Sequence, residues 1–301
     1  MMRKLARLTP WLALLVISVL HAEDFFFDSD GVRIHYTVEG KGEPVVLIHG
    51  YAASIAANWA MPGIVKGLAA NYQVIALDNR GHGQSEKPHD PAAYGNKMSE
   101  DVLRLMDHLQ IQKAHIVGYS MGGFMTSWLI TEHPERVLTA TMGGAGWNKP
   151  DQVPQMSGML KMLAESLEQG KGLGPLIVAL TPVGQPPMTP QQIEATNKMF
   201  LALNNDPLAL AAVARNGMPQ VTEARLRANK IPALALIGEV DPLKAGVDNL
   251  DGLMPNLKIV VIPKANHLTA FVSPLFLESL LSFLAEHPAA AQTTARAAAA
   301  Q

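Results

Sequence analysis

One serine, one histidine and one aspartate stand where nucleophilic chemistry would need them. Ser120 lies in Gly118-Tyr119-Ser120-Met121-Gly122-Gly123, a G-x-S-x-G pattern that follows the apolar run His115–Tyr119. At a strand-to-helix turn of this kind the serine sits on a strained backbone that pushes its hydroxyl into solvent. A side chain at Gly118 or Gly122 would strike the neighbouring strand or helix. A hydroxyl attacks poorly until a base takes its proton, and the base needs an acid to hold its tautomer. His267 stands in Pro263-Lys264-Ala265-Asn266-His267, just past the apolar run Lys258–Ile262. Asp241 stands in Gly238-Glu239-Val240-Asp241-Pro242, just past the run Ala233–Ile237 and 26 residues before His267. Glu239 and Asp248 are local rivals for the acid, and Asp151 is a distant one. The other histidines have weaker settings: His21 near the N-terminus, His35 and His115 in strand-like runs, His108 and His133 in helical patterns, and His89 and His287 in polar segments. Two backbone N–H groups complete the arrangement as an expected oxyanion hole, those of Tyr51, after the run Val45–His49, and of Met121, directly after the serine.

Such residues must be held by rigid elements. Val32–Val38 alternates apolar and polar residues, as a strand with one wet face does. Val45–His49, Val74–Leu77, His115–Tyr119, Val137–Met142, Ala233–Ile237 and Lys258–Ile262 are mostly continuous apolar runs, the pattern of parallel strands covered on both faces. Helical periodicity runs over Glu100–Gln110, Gly122–Thr131 and Leu275–Ala285 between and after them. Alternating strand and helix predicts an α/β fold with right-handed crossovers, and it places all three chemical residues at the carboxyl ends of strands. The alternation stops between residues 147 and 230, which are proline-rich and hold helical stretches at Gln155–Gln169 and Gln191–Asn204. A mostly helical lid over the strand ends is expected there. Its six methionines, Met156, Met159, Met162, Met188, Met199 and Met218, suit either a loosely shaped pocket or ordinary helix packing. Lys161 and Arg215 could face a carboxylated substrate, although isolated charges of this kind are more often solvated.

The ends read differently. Arg3, Lys4 and Arg7 precede an apolar run from Trp11 to Leu20, with Ala22 at a plausible cleavage point. That is the layout of an export signal over 1–22, with an uncleaved anchor as the alternative. Residues 289–301 read as a frayed alanine-rich tail, and 23–146 with 231–288 as the core. The chain has 24 Lys+Arg against 26 Asp+Glu; without residues 1–22 the balance is 21 against 26, a net charge of -5. Nothing in that balance suits nucleic acid. Zero cysteine excludes disulfides, Cys-ligated metals and a thiol nucleophile. No H-E-x-x-H, and no G-x-G-x-x-G after a strand, points to a metal or organic cofactor, and none is expected.

Together, His49-Gly50, the Asp78-Asn79-Arg80-Gly81-His82-Gly83-Gln84-Ser85 segment, the Ser120 turn, Asp241 and His267 resemble the α/β-hydrolase superfamily, in its lid-bearing esterase, haloperoxidase and C–C hydrolase branch. The resemblance covers about residues 24–286. It implies an eight-stranded, mostly parallel sheet flanked by helices, with Val32–Val38 as the antiparallel second strand, and it makes Asp78, Arg80 and His82 supporting residues. Ala265-Asn266 departs from the glycine-bearing sequence common before the family histidine. Relatives that dehalogenate or open epoxides carry an aspartate at the turn, so Ser120 argues for acyl transfer. The resemblance thus implies a serine hydrolase of small acyl compounds, with Ser120, His267 and Asp241 as the triad and esters as the default substrates. A C–C bond or lactone hydrolase and a cofactor-free perhydrolase or haloperoxidase use the same machinery. A non-catalytic binding module would be favoured by loss of a triad member, and all three are present. The expected setting is secreted or periplasmic, with no stable membrane insertion after signal cleavage.

Overall fold

The computed structural model of the chain describes residues 23–289. The expected export signal over 1–22 and residues 290–301 of the expected tail lie outside the described residues. Ala289 is described, and its N–H donates to the Glu43 carboxylate at 3.1 Å.

Eight strands make one sheet: β1 (Glu23–Ser29), β2 (Val32–Glu39), β3 (Glu43–Ile48), β4 (Tyr72–Leu77), β5 (Ala114–Tyr119), β6 (Val137–Gly143), β7 (Ala233–Gly238) and β8 (Leu257–Ile262). Their order across the sheet is β1-β2-β4-β3-β5-β6-β7-β8. β2 is antiparallel to β1 and to β4, and the remaining neighbours are parallel. The chain passes from β3 to β4 on one side, then crosses back to place β5 on the other side of β3. That reversal opens a crevice at the carboxyl ends of β3 and β5, where open α/β sheets bind ligands.

The helices in chain order are α1 (Ile64–Ala69), α2 (Asn96–His108), α3 (Met121–Glu132), α4 (Val153–Glu168), α5 (Gly174–Ala179), α6 (Pro190–Leu201), α7 (Pro207–Asn216), α8 (Glu223–Ala228), α9 (Lys244–Asp248) and α10 (Pro274–Glu286). The continuous apolar strands β3 to β7 are largely buried on both faces, as their sequence implied. β8, expected to be covered in the same way, is instead an edge strand with Lys258 and Val261 exposed and only Ile262 buried. On β3, Val45 and Leu47 join Leu68 of α1 and Phe276 and Leu280 of α10 in one core layer. Val46 and Ile48 join Val102 and Leu105 of α2 and Met125 and Leu129 of α3 in the other.

β1 is the strand that the hydropathy pattern does not single out. Its Phe25-Phe26-Phe27 core lacks alternation, and it is an edge strand held by pairing with β2 alone. Phe25 stacks on Tyr36 and Phe26 packs on His35, both across the strand pair. Cross-strand partners of that kind stabilise an edge, and they are invisible in a window of local sequence.

Between β6 and β7 the described residues hold five helices, α4 to α8, and no strand. Four of the prolines there start helices rather than break them. Pro154, Pro175, Pro190 and Pro207 occupy the first turns of α4 to α7, where the missing N–H costs nothing. Thr189 and Gln192 form a reciprocal capping box on α6, and the Asp206 carboxylate accepts the N–H groups of Leu208 and Ala209 on α7. This insertion has its own apolar cluster, including Leu163, Leu167, Ile177 and Leu210, which reaches the main domain through Ala52 and Tyr51. Side chains pin it from both sides. The Tyr51 hydroxyl donates to Leu210 O at 2.7 Å, Asn205 Nδ2 to Ala52 O at 2.9 Å and Asn204 Nδ2 to Gly83 O at 3.0 Å.

Candidate active site

The turn after β5 is built as its sequence requires. Ser120 has φ 53° and ψ -115°, a left-handed backbone that is costly for any residue with a Cβ. A Cβ on Gly118 would lie 2.0 Å from Gly122 O, and one on Gly122 would lie 2.0 Å from Ile48 O. Both glycines are therefore required by close backbone approach. The Ser120 N–H is anchored on Gly143 O of β6 at 2.7 Å, and α3 begins at once with Met121.

The structure brings Ser120, His267 and Asp241, 147 and 26 residues apart in pairs, into one hydrogen-bonded row. His267 Nδ1 lies 2.9 Å from Asp241 Oδ2 and His267 Nε2 lies 3.0 Å from Ser120 Oγ. A carboxylate can only accept, so the proton is on Nδ1 and Nε2 is left as the acceptor for the serine hydroxyl. Asp241 and His267 are 1% and 3% exposed, which shields the pair from water. The second Asp241 oxygen accepts the Leu243 N–H at 2.8 Å. The rival acids are engaged elsewhere: Glu239 accepts the Lys264 N–H at 2.7 Å, Asp248 holds Lys244, and Asp151 is exposed ahead of α4.

The loop after β3 carries Tyr51, an expected oxyanion donor, at the cavity beside Ser120. The direction of its N–H follows from its own peptide. His49 Nδ1 donates to Gly50 O at 2.7 Å, while Nε2 accepts the Asn79 N–H at 3.0 Å, which sets the neutral tautomer. Burial drives His49 the same way, pushing its pKa below the usual histidine range against the pull of Asp78. A trans peptide points its C=O and N–H to opposite sides, so fixing Gly50 O inward turns the Tyr51 N–H outward. Asn58 Oδ1 accepts the Gly50 N–H at 2.9 Å and braces the same loop. Met121 is the first residue of α3, and the first N–H groups of a helix have no partner within it. Tyr51, Ser120 and Met121 line one cavity.

The Asp78–Ser85 segment lies behind this edge as a brace. The Asp78 carboxylate accepts the N–H groups of Ile55 and Gln84 at 2.8 Å each and bonds His35 Nδ1 at 2.8 Å. Burial works against its charge, yet His35, His49 and these N–H groups hold its pKa below the usual carboxylate range. Arg80 is buried on Asp101 through Nη2 at 2.6 Å and Nε at 2.7 Å. His82 is fully buried, and desolvation, reinforced by His49, lowers its pKa to about 3. None of the three touches Ser120.

Tyr119 is a residue whose role the sequence did not disclose. Its hydroxyl donates to His267 O at 2.5 Å, and its ring lies 5.4 Å from the imidazole. Burial, and then the charge of Asp241, keep that hydroxyl protonated well above the usual range. Gly144, at φ 56°, makes room for it, because a Cβ there would meet Tyr119 Cζ at 2.8 Å and His267 Cε1 at 3.1 Å. In sequence Tyr119 is simply the apolar end of a strand; the G-G pair at 143–144 was the available signal of a close approach.

The cavity beside Ser120 has a volume of about 350 Å³ and lies between α3, the insertion helices α4 and α5, and the loop after β7. Met156, Met159 and Met218 line it, whereas Met188 packs within the insertion and Met162 and Met199 are exposed. Neither cation proposed for a substrate carboxylate is there. Arg215 is bidentate on Glu168 at 2.7 and 2.9 Å, and Lys161 is exposed. Among the described residues no three His, Asp or Glu side chains gather as a metal site requires.

The sequence pattern of the alpha/beta hydrolase fold family matches residues 43–274, and the chain belongs to that family. It is 29% identical over 251 residues to a dihydrolipoyllysine-residue acetyltransferase component of the acetoin cleaving system of Pseudomonas putida, covering 82% of this chain and 64% of that protein. The chain thus spans under two thirds of that relative's length. It is 28% identical over 243 residues to 3-oxoadipate enol-lactonase 2 of Acinetobacter baylyi, covering 76% of this chain and 84% of that protein. The fold matches the crystal structure of the enol-lactonase from Burkholderia xenovorans LB400 with a TM-score of 0.68 at 22% identity, covering 86% of this chain and 99% of the other.

Proposed function

We propose that the chain is a serine hydrolase that cleaves a carboxylic ester, open or cyclic, through an acyl-enzyme. The observation that carries this reading is the Ser120–His267–Asp241 row, with both hydrogen bonds at or below 3.0 Å and Ser120 on a strained turn. Ser120 Oγ attacks the carbonyl carbon as His267 Nε2 takes its proton. The carbonyl oxygen, now negative, is met by the N–H groups of Tyr51 and Met121, each worth about 3 kcal/mol to the transition state. His267 returns the proton to the departing alkoxide. Water then repeats the cycle on the acyl-Ser120 ester and releases the acid. Asp241 holds the tautomer and stabilises the imidazolium. The lactonase among the relatives supports a cyclic ester as a second substrate form within this chemistry.

A fluorophosphonate probe tests the nucleophile. Stoichiometric labelling of Ser120, with hydrolysis of p-nitrophenyl butyrate by the wild type and not by Ser120→Ala, is expected; labelling elsewhere would sink the assignment. We also propose that the protein is exported, on the cationic and apolar layout of residues 1–22. Cell fractionation with N-terminal sequencing checks this: a start near Glu23 supports a cleaved signal, Met1 or Met2 in the envelope supports the uncleaved anchor, and protein confined to the cytoplasm counts against export.

A further inference from the structure

We propose that the cavity beside Ser120 takes an uncharged, medium-length apolar acyl group and rejects acyl groups that end in a carboxylate. This rests on the serine hydrolase reading and names its substrate class. The argument begins with what lines the cavity. The residues facing it from the insertion include Met156, Met159, Leu163 and Leu180 beside the amide of Gln155, and Leu243 of the loop after β7 and Gly246 of α9 close the other side. No Asp, Glu, Lys, Arg or His is among the lining residues, whose only polar side chains are uncharged.

Cations near this wall in the chain are turned away from it. Lys244 falls between the lining residues Leu243 and Ala245, yet its ammonium sits on the Asp248 carboxylate at 2.7 and 2.9 Å. Arg215 is spent on Glu168, and Lys161 is exposed on the outer side of α4. The charge that is close is the wrong one. Asp241 directly precedes the lining residues Pro242 and Leu243 and is 1% exposed. A substrate carboxylate entering here would lose its water, find no cation and feel a like charge, each of which opposes binding.

Size sets the other limit. A cavity of about 350 Å³ lies at the lower end of the range for small-molecule pockets, about 300–1,000 Å³. That suits an acyl chain of medium length together with the reacting carbonyl. Each added methylene that reaches the apolar wall improves kcat/KM about three- to fourfold until the cavity is full.

The decisive pair of substrates is p-nitrophenyl hexanoate and the mono-p-nitrophenyl ester of adipic acid, which share acyl length and leaving group and differ by a terminal carboxylate. Wild type is expected to favour the hexanoate by at least 100-fold in kcat/KM. Met159→Arg, which places a cation on the wall, is expected to shrink that ratio at least tenfold. Equal turnover of the two esters, a preference for the adipate ester, or an unchanged ratio in Met159→Arg would overturn the inference while fluorophosphonate labelling of Ser120 keeps the hydrolase reading intact. Failure to turn over either ester, with Ser120 unlabelled, would overturn both.

Discussion

The carboxyl edge of the sheet and the helical insertion above it are built on opposite physical plans. At the edge, position is enforced by backbone and by buried polar pairs. Ser120 is held by a strained φ, Gly50 O by His49, and His267 by Asp241 on one side and Tyr119 on the other. Each of these groups has one geometry in which it is satisfied, and a buried polar group out of place is expensive. The insertion is held mainly by apolar contact, with a few side-chain bonds to backbone carbonyls such as Tyr51 to Leu210 O and Asn205 to Ala52 O, and with its ion pairs exposed. Its charges, such as Arg215–Glu168 and Lys198–Glu194, lie at the surface, and Met162, Val178, Val183 and Met199 are exposed. Apolar walls are interchangeable at modest cost, whereas the polar edge is not. Buried polar pairs thus sit where substitution is punished, and apolar walls where it is tolerated.

Substitutions can test that contrast, beginning where the largest loss is expected. Asp241→Asn is nearly isosteric but presents a donor where His267 needs an acceptor, and it is expected to lower kcat about 10⁴-fold. Steady-state kinetics with p-nitrophenyl butyrate measures this. A near-wild-type rate would mean that another group orients the imidazole.

His49→Leu removes the bond that aims the Gly50–Tyr51 peptide. A lost oxyanion donor typically lowers kcat by about 10²-fold or more, with KM little changed. Circular dichroism separates this from unfolding. A fall in KM-dependent binding with kcat intact would contradict the peptide-orientation account.

His82 tests the edge through stability. Its folded pKa of about 3 lies below the ordinary histidine value of 6.5, so the folded state binds fewer protons than the unfolded state. Its contribution is complete above pH 6.5 and is lost as the pH falls from 6.5 towards 3. Between pH 6.5 and 5 that amounts to about 2 kcal/mol. Urea unfolding at pH 7 and 5 should show this loss in the wild type and a smaller one in His82→Gln. Parallel slopes would mean that His82 reaches water.

The smallest effect belongs to the insertion. Arg215→Ala removes an exposed pair and is expected to change stability by under about 0.5 kcal/mol and to leave turnover of neutral esters within twofold. A large loss of activity would show that the insertion positions chemistry after all.

Much of the edge was legible in sequence because it is written in local rules. Period-two burial and continuous apolar runs marked β2 to β8, and the glycines around Ser120 announced a turn that tolerates no Cβ. His267 and Asp241 followed because both sit just past strand ends. β1 was not legible from hydropathy, since Phe25-Phe26-Phe27 alternates with nothing and is held by β2 across the sheet. Tyr119 was hidden for a related reason: its ring looks like core, and its hydroxyl acts through a carbonyl 148 residues away.

The sequence by itself determined the α/β architecture, the helical character of the insertion and the three residues placed at strand ends, because backbone conformation and burial period are local properties. Only the tertiary structure decided that His267 meets Ser120 at 3.0 Å, that Tyr119 holds the histidine loop, and that Arg215 and Lys244 are spent on carboxylates away from the cavity. A charge in a sequence has no address until the chain has folded, because its partner is chosen by distance in space and not by spacing along the chain.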